Sequence, residues 1–265
     1  MASNDKKSIS RSRIWEIDFI RGILVVMMIL DHTAWWFYRY IYLQEIIGID
    51  FDSTLYHFSV WCKQLQIDFV WRDIFRVCNV CLFFLISGIS TTFSKKISVR
   101  LIVMWGYPLL MFVADIITIK TIKYPVMSSY GFFFCFALCS TIYVVVRKIP
   151  FRWYLVICVA IVVIGIFILF FSPKLTSSPI RWIGLPQRLK TGWRDDFPIF
   201  PFLICFIGGT LLGKTVYKNK KSIIPNFPLC KDVAIQFCGK HSFLIFIAHC
   251  TMMPIIFVAW ALIVN

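Results

Sequence analysis

"RIWEIDFIRGILVVMMILDHTAWWFY", residues 13–38, decides how this chain is read. Its apolar residues run far enough to cross a bilayer, which takes about 20 residues as a helix. Yet Asp18 and Arg21 stand near its start, and Asp31 and His32 near its end. On translocon scales an ionisable group at the centre of a span costs roughly 2.5–3.5 kcal/mol. A helix that accepts them faces something other than lipid.

The rest of the chain repeats the pattern. Of 265 residues 59% are hydrophobic, and the mean hydropathy is +0.78. That is more apolar surface than a water-soluble core hides, and it comes in long runs. A β-barrel would show short alternating segments, and no such alternation is visible. The expectation is an all-α, polytopic membrane helical bundle forming a single domain over 1–265, with 1–13 as a polar leader. Seven spans are expected, near 17–38, 73–93, 99–119, 130–146, 153–172, 197–217 and 242–263. The apolar stretch after the leader is too long for a signal-peptide core and lacks a small-residue cleavage site, so it reads as a retained anchor.

The 28 Lys and Arg outnumber the 13 Asp and Glu. They sit in short clusters between apolar runs (Lys6 to Arg13, Lys95 to Arg100, Arg147 to Arg152, Lys214 to Lys221), where orientation signals belong. This speaks against nucleic acid as a partner and puts the amino terminus inside. Two longer segments, 39–72 and 173–196, then fall outside; the second is punctuated by Pro and Gly and reads as loop. Most of the ten cysteines lie inside expected spans and act as small hydrophobes. Cys78 and Cys81 have Cys-x-x-Cys spacing, but no metal-type set accompanies them, so no metal is expected. Gly209 and Gly213 are a small-x-x-x-small pair that permits close helix contact.

At about 100° per residue, Asp18, Arg21, Gly22, Val25, Ile29, His32 and Trp36 share one face of the first helix. Arg21 and His32 are offset by only about 20°, and by about 16 Å along the axis. The stripe therefore joins a charge pair near the inner face to an imidazole near the outer one. Asp18 and Arg21 also suit simple mutual neutralisation at i,i+3, and a lone His in a span often serves packing. Asp115, late in the third span, reaches a similar depth to His32 and is a candidate to orient its ring. In the seventh span, "CGKHSFLIFIAHC" puts Lys240, His241 and Ser242 at the inner entrance and His249 two turns deeper. Arg72 and Arg76, one turn apart, suit an anion or sugar acid, or else an interfacial anchor. Asp196 stands before the sixth span.

These residues resemble a known family. "EIDFIRGILVVMMILDH" resembles the opening Asp-x-x-Arg-Gly…Met-x-x-x-x-His of the heparan-α-glucosaminide N-acetyltransferase-like membrane proteins. "FRVCNVCLFFLISGIS" resembles that family's second span, "DDFPIFPFLICFIGGTLLGK" its Asp-Phe-Pro…Gly-x-x-x-Gly segment, and "GKHSFLIFIAHC" its closing block. The four occur in the family's order and cover most of the chain. Three positions depart from it: Phe134 stands where the bacterial branch has a histidine, Cys250 follows the closing histidine where a polar residue is common, and Phe202 stands where a tryptophan is usual. The resemblance implies a transmembrane acyltransferase that takes acetyl from cytosolic acetyl-CoA and delivers it to an extracytoplasmic sugar amine or hydroxyl. It marks Asp18, Arg21, Gly22, His32, Asp196, Pro198, Pro201, Lys240, Ser242 and His249.

The combined expectation is a catalytic set of His32, Asp115 and His249. Arg13, Asp18, Arg21, Lys240 and Ser242 would hold the donor acetyl-CoA, and Arg72, Arg76 and Asp196 the acceptor. His32 would act as a general base or as a covalent nucleophile; both stay open. So does a non-enzymatic transporter or a lipid- or solute-binding membrane protein, since the same stripe suits a proton relay. The expected partners are acetyl-CoA, a sugar or glycan and membrane lipids, in the plasma membrane, with the oligomeric state left open.

Overall fold

Helix α1 (Trp15–Ile47) runs unbroken for 33 residues, about 50 Å against a hydrocarbon core of about 30 Å. Its one glycine is Gly22 and it has no proline, so nothing in "YRYIYLQEII" stops it before Gly48. The helix thus continues nine residues beyond the span expected from hydropathy. The segment 39–72, expected on the outer side, holds the end of α1 and a second helix, α2 (Thr54–Ile67). This computed structural model describes residues 14–47, 54–67, 70–94, 96–122, 131–171, 197–225 and 232–263.

The remaining helices are α3 (Val70–Thr92), α4 (Ile97–Ile122), α5 (Phe132–Val146), α6 (Phe151–Phe171), α7 (Ile199–Thr215), α8 (Val233–Lys240) and α9 (Ser242–Ile263). Among the described residues the regular structure is helical and there is no strand. By length and composition Trp71–Thr92, Ile97–Ala114 and Phe151–Phe170 suffice to cross a membrane. A fourth joins them if α8 and the first half of α9, bent by 77° at the break between them, count as one. Helices α5 and α7 are apolar but shorter, about 23–26 Å. Outward-facing Val156, Val163, Phe167 and Phe170 on α6 are all more than half exposed, a continuous apolar surface that suits lipid.

The chain forms two compact units. One comprises residues 1–76 and 217–265, where α1 packs against α2, α8 and α9. Its two sequence segments are tied at Glu16, a buried carboxylate that accepts from Ser222 Oγ at 2.7 Å and from the Ile223 amide at 2.8 Å. Trp15 Nε1 donates to the Ile224 carbonyl beside it at 2.9 Å. Charge on Glu16 is therefore absorbed by two donors rather than left in an apolar setting.

The other unit comprises residues 77–216. Phe84 is fully buried among Phe132, Phe136, Phe202 and Phe206, with ring centroids 5.2–6.5 Å away. Backbones touch where α3 meets α7: a Cβ on Gly88 would overlap the Phe206 carbonyl, and one on Gly209 the Leu85 carbonyl. Gly213 meets Thr92, so the small-residue pair on α7 is a contact face, as its spacing predicts. Phe134 packs edge-on to Trp105 at 5.5 Å.

Candidate functional site

The site grows from the break between α8 and α9. Asp232 caps α8, its Oδ1 accepting from the Ile235 amide at 3.1 Å. The helix lasts eight residues and ends at Lys240, leaving carbonyls without helical partners. Arg21 supplies one: its Nη1 donates to the Gly239 carbonyl at 3.3 Å and lies 3.5 Å from Asp18 Oδ1. A cation belongs at a helix carboxyl end, where the dipole is negative. Asp18 and Arg21 are 15% and 11% exposed as side chains, so each neutralises the other where water is scarce.

Two glycines let α1 and α8 come this close. A Cβ on Gly239 would fall on the Asp18 carbonyl, and one on Gly22 on the Ile235 carbonyl. Only hydrogen fits at either position, because the obstacle is backbone and cannot rotate away. Gly22 follows Arg21 directly, and Gly239 precedes Lys240. The glycine contact and the guanidinium contact are one joint.

Further along α1, the same stripe brings His32 to α9. Its ring stacks on that of His249, with centroids 5.2 Å apart and planes 20° from parallel. Phe246 flanks His32 at 6.2 Å. His249 is 9% exposed, and its Nε2 has no hydrogen-bond partner among the described residues. A neutral imidazole has one donor and one acceptor nitrogen, so a buried Nε2 left unpaired is costly to the fold and available to a ligand. Sequence reasoning nominated His32 and His249 from different ends of the chain; the structure puts them in contact.

Asp31, beside His32 in sequence but off the stripe, has a different partner. Arg72 donates to it through Nε at 3.0 Å and Nη2 at 3.4 Å, and Gln66 Nε2 lies 3.4 Å from its Oδ1. Arg72 Nη1 also donates to the Gln66 carbonyl at 3.0 Å. Arg72 thus holds α1, α2 and α3 together. Arg76, one turn on, adds its charge near Asp31.

The other nominated residues are placed as follows. Lys240 is exposed at the α8–α9 break and Ser242 is buried just after it. Pro198 caps α7, with Pro201 in its first turn. His57 is exposed on α2, edge-on to Tyr56 at 5.9 Å. Arg13 and Asp196 lie outside the described residues, as does the side chain of Asp115, which belongs to α4. Among the described residues no group of three or more His, Cys, Asp or Glu is arranged to hold a metal ion.

Sequence reasoning missed Asp31 as a network centre, Gln66, Glu16 and the joint at Gly239. A signal existed for one of them: an Asp beside a His in a span needs a cation nearby.

Compared with known protein families, the chain matches the family described as heparan-alpha-glucosaminide N-acetyltransferase, catalytic, over residues 37–251. The match takes in Gln66, Arg72, the α8–α9 break and His249, and begins just after His32. No curated protein and no solved structure matches the chain.

Proposed function

The chain belongs to the heparan-alpha-glucosaminide N-acetyltransferase catalytic family, and on that premise we propose that it moves an acetyl group from cytosolic acetyl-CoA to an amine or hydroxyl of an extracytoplasmic sugar or glycan. It is a membrane protein by its apolar helices and by that family. The proposed setting is the plasma membrane, with seven spans, the amino terminus in the cytoplasm and one catalytic domain.

The observation that supports this reading most is the stacked His32–His249 pair with its unpaired nitrogen. In the tautomer with its proton on Nδ1, His249 presents Nε2 as a base. That nitrogen takes the proton of the acceptor N–H or O–H as the acceptor attacks the thioester carbonyl. The C–S bond then breaks, and the proton leaves with the coenzyme A thiol. His32, stacked on its partner, orients the second ring and shields it from water. Asp115 is retained as a candidate to orient His32.

Donor docking is assigned to the inner end. Arg21 is engaged with Asp18 and Gly239, so it sets the break rather than reaching outward. Lys240, exposed at that break, together with Arg13, is the cationic pair proposed for the donor's phosphates. Ser242 and Asp18 line the same joint. Arg76 and Asp196 are proposed on the acceptor side, and Arg72 acts there through Asp31.

The test is label transfer from radiolabelled acetyl-CoA to a panel of amino and hydroxyl sugars, by purified protein in detergent. Wild type should label a sugar. His249→Ala and His32→Ala should each lower the rate by about 100-fold or more. Undiminished transfer by the double variant would overturn the assignment of chemistry to the pair.

A further inference from the structure

Gln66 lies on the buried face of α2 and is 9% exposed. Its Nε2 faces two atoms of one residue, the Asp31 carbonyl oxygen at 3.2 Å and Asp31 Oδ1 at 3.4 Å. A backbone carbonyl only accepts, and so does an ionised carboxylate. The amide nitrogen must therefore point at Asp31, because the flipped amide would set oxygen against oxygen. Arg72 locks this arrangement from the other side, with Nε and Nη2 on the Asp31 carboxylate and Nη1 on the Gln66 carbonyl.

The orientation has a chemical consequence. With its nitrogen committed, Gln66 presents Oε1 away from Asp31, buried and without a donor among the described residues. Buried amide oxygens are almost always paired. Two turns earlier on the same helix, Ser59 is fully buried and its Oγ is also unpartnered. Both belong to the unit that holds the imidazole pair, and Asp31, on which Gln66 is fixed, directly precedes His32. The fold thus ties a buried acceptor atom to the residue that precedes His32 and, among the described residues, gives it no internal donor.

We propose that Gln66 Oε1 is a specificity determinant for the acceptor substrate, receiving an N–H or O–H that neighbours the group to be acetylated. The proposal rests on the acyltransferase reading given above. The ligand class is a polyhydroxylated or amino-bearing sugar. An acceptor with a single alcohol and an otherwise apolar body satisfies the base but leaves Oε1 unpaired, and is rejected on that account. Asp31 and Arg72 are positioning residues, acting through Gln66.

The experiment uses the full-length protein with glucosamine and its monodeoxy analogues. Three quantities are measured for wild type, Gln66→Leu and the near-isosteric Gln66→Met: the sugar KM in acetyl transfer, glucosamine binding by intrinsic tryptophan fluorescence without donor, and the acetyl-CoA KM. The expected result is a rise of about tenfold or more in both the glucosamine KM and its Kd, with the acetyl-CoA KM unchanged. In addition, one deoxy analogue should be poor with wild type and lose nothing further in the variants. Equal losses against every sugar, deoxy analogues included, would show a merely structural role and overturn the proposal, as would unchanged glucosamine binding. Gln66-dependent binding without acetyl transfer by wild type would sustain the site and defeat the acyltransferase reading. Transfer that is indifferent to Gln66 would do the reverse.

Discussion

Gly208 and Gly209 are neighbours on α7, and replacing each by alanine should have opposite effects. Helix propensity favours Ala over Gly by about 1 kcal/mol at either position. A Cβ on Gly208 meets nothing within 4 Å, so Gly208→Ala should leave stability unchanged or raise it by about 0.5–1 kcal/mol. A Cβ on Gly209 would overlap the carbonyl oxygen of Leu85 on α3. That oxygen belongs to a hydrogen-bonded helix and cannot turn aside, so the two helices must part by about 1 Å or more. Overpacking of this kind costs typically about 1–3 kcal/mol. Separation would also loosen Phe84, fully buried against Phe202 and Phe206 from α7. The propensity gain is common to both, so Gly209→Ala should fall about 1–3 kcal/mol below Gly208→Ala. The assay is the fraction of detergent-purified protein still monodisperse after a temperature series at one heating rate, because such unfolding is governed by rate. Gly208→Ala should match or exceed wild type, and Gly209→Ala should fall about 2 °C or more below Gly208→Ala. Equal midpoints for the two would refute the contact. Gly213→Ala should fall between them, since its nearest obstacle is the Thr92 side chain.

Other outcomes follow from the polar contacts. The Arg72 and Asp31 side chains are 17% and 24% exposed, so a cycle of Arg72→Met and Asp31→Asn should give a coupling of about 1–3 kcal/mol in stability; additive losses would dissolve the pair. Arg21→Met should destabilise more than Arg21→Met combined with Asp18→Asn, because the single change strands a buried carboxylate; the same thermal assay decides, and a worse double variant refutes it. Tyr154→Phe removes the hydrogen bond between Tyr154 and Thr210, and should cost about 1 kcal/mol. Lys214 sits 3.4 Å from the centroid of the Tyr154 ring, so Lys214→Met should destabilise while Lys214→Arg keeps the cation–π contact; identical melting of the two would count against it.

The sequence made the helical class and the polar stripe readable, because both rest on local periodicity. Apolar runs announce spans, and the spacing of Asp18, Arg21 and His32 puts them on one face whatever surrounds it. The helix α1 runs past the expected span for a related reason. Hydropathy measures what lipid accepts, whereas the helix continues wherever backbone bonds continue, and residues 39–47 offer no interruption. The partners of the stripe were out of reach. Gly239 meets Asp18 across more than two hundred residues of chain, and an isolated glycine before a lysine carries no mark of such a contact. Gln66 was invisible for a subtler reason: its meaning comes from an oxygen that Asp31 leaves over, and only the geometry of the amide reveals it.

The two blocks that looked separate along the chain work as one device. From Gly22 to His32 is ten residues, about 15 Å along α1, and from the break at His241 to His249 is eight, about 12 Å along α9. The helices leave a common joint and meet again where the imidazoles stack. A slip of one residue at the joint would turn His32 by about 100° and shift it by about 1.5 Å, enough to part the rings. Hydrogen atoms at Gly22 and Gly239 permit one register, and the Arg21 bond to the Gly239 carbonyl selects it. The charges that seemed too costly for an apolar helix are therefore used near its amino-terminal end to fix a helix break, and the histidines receive their alignment from that joint.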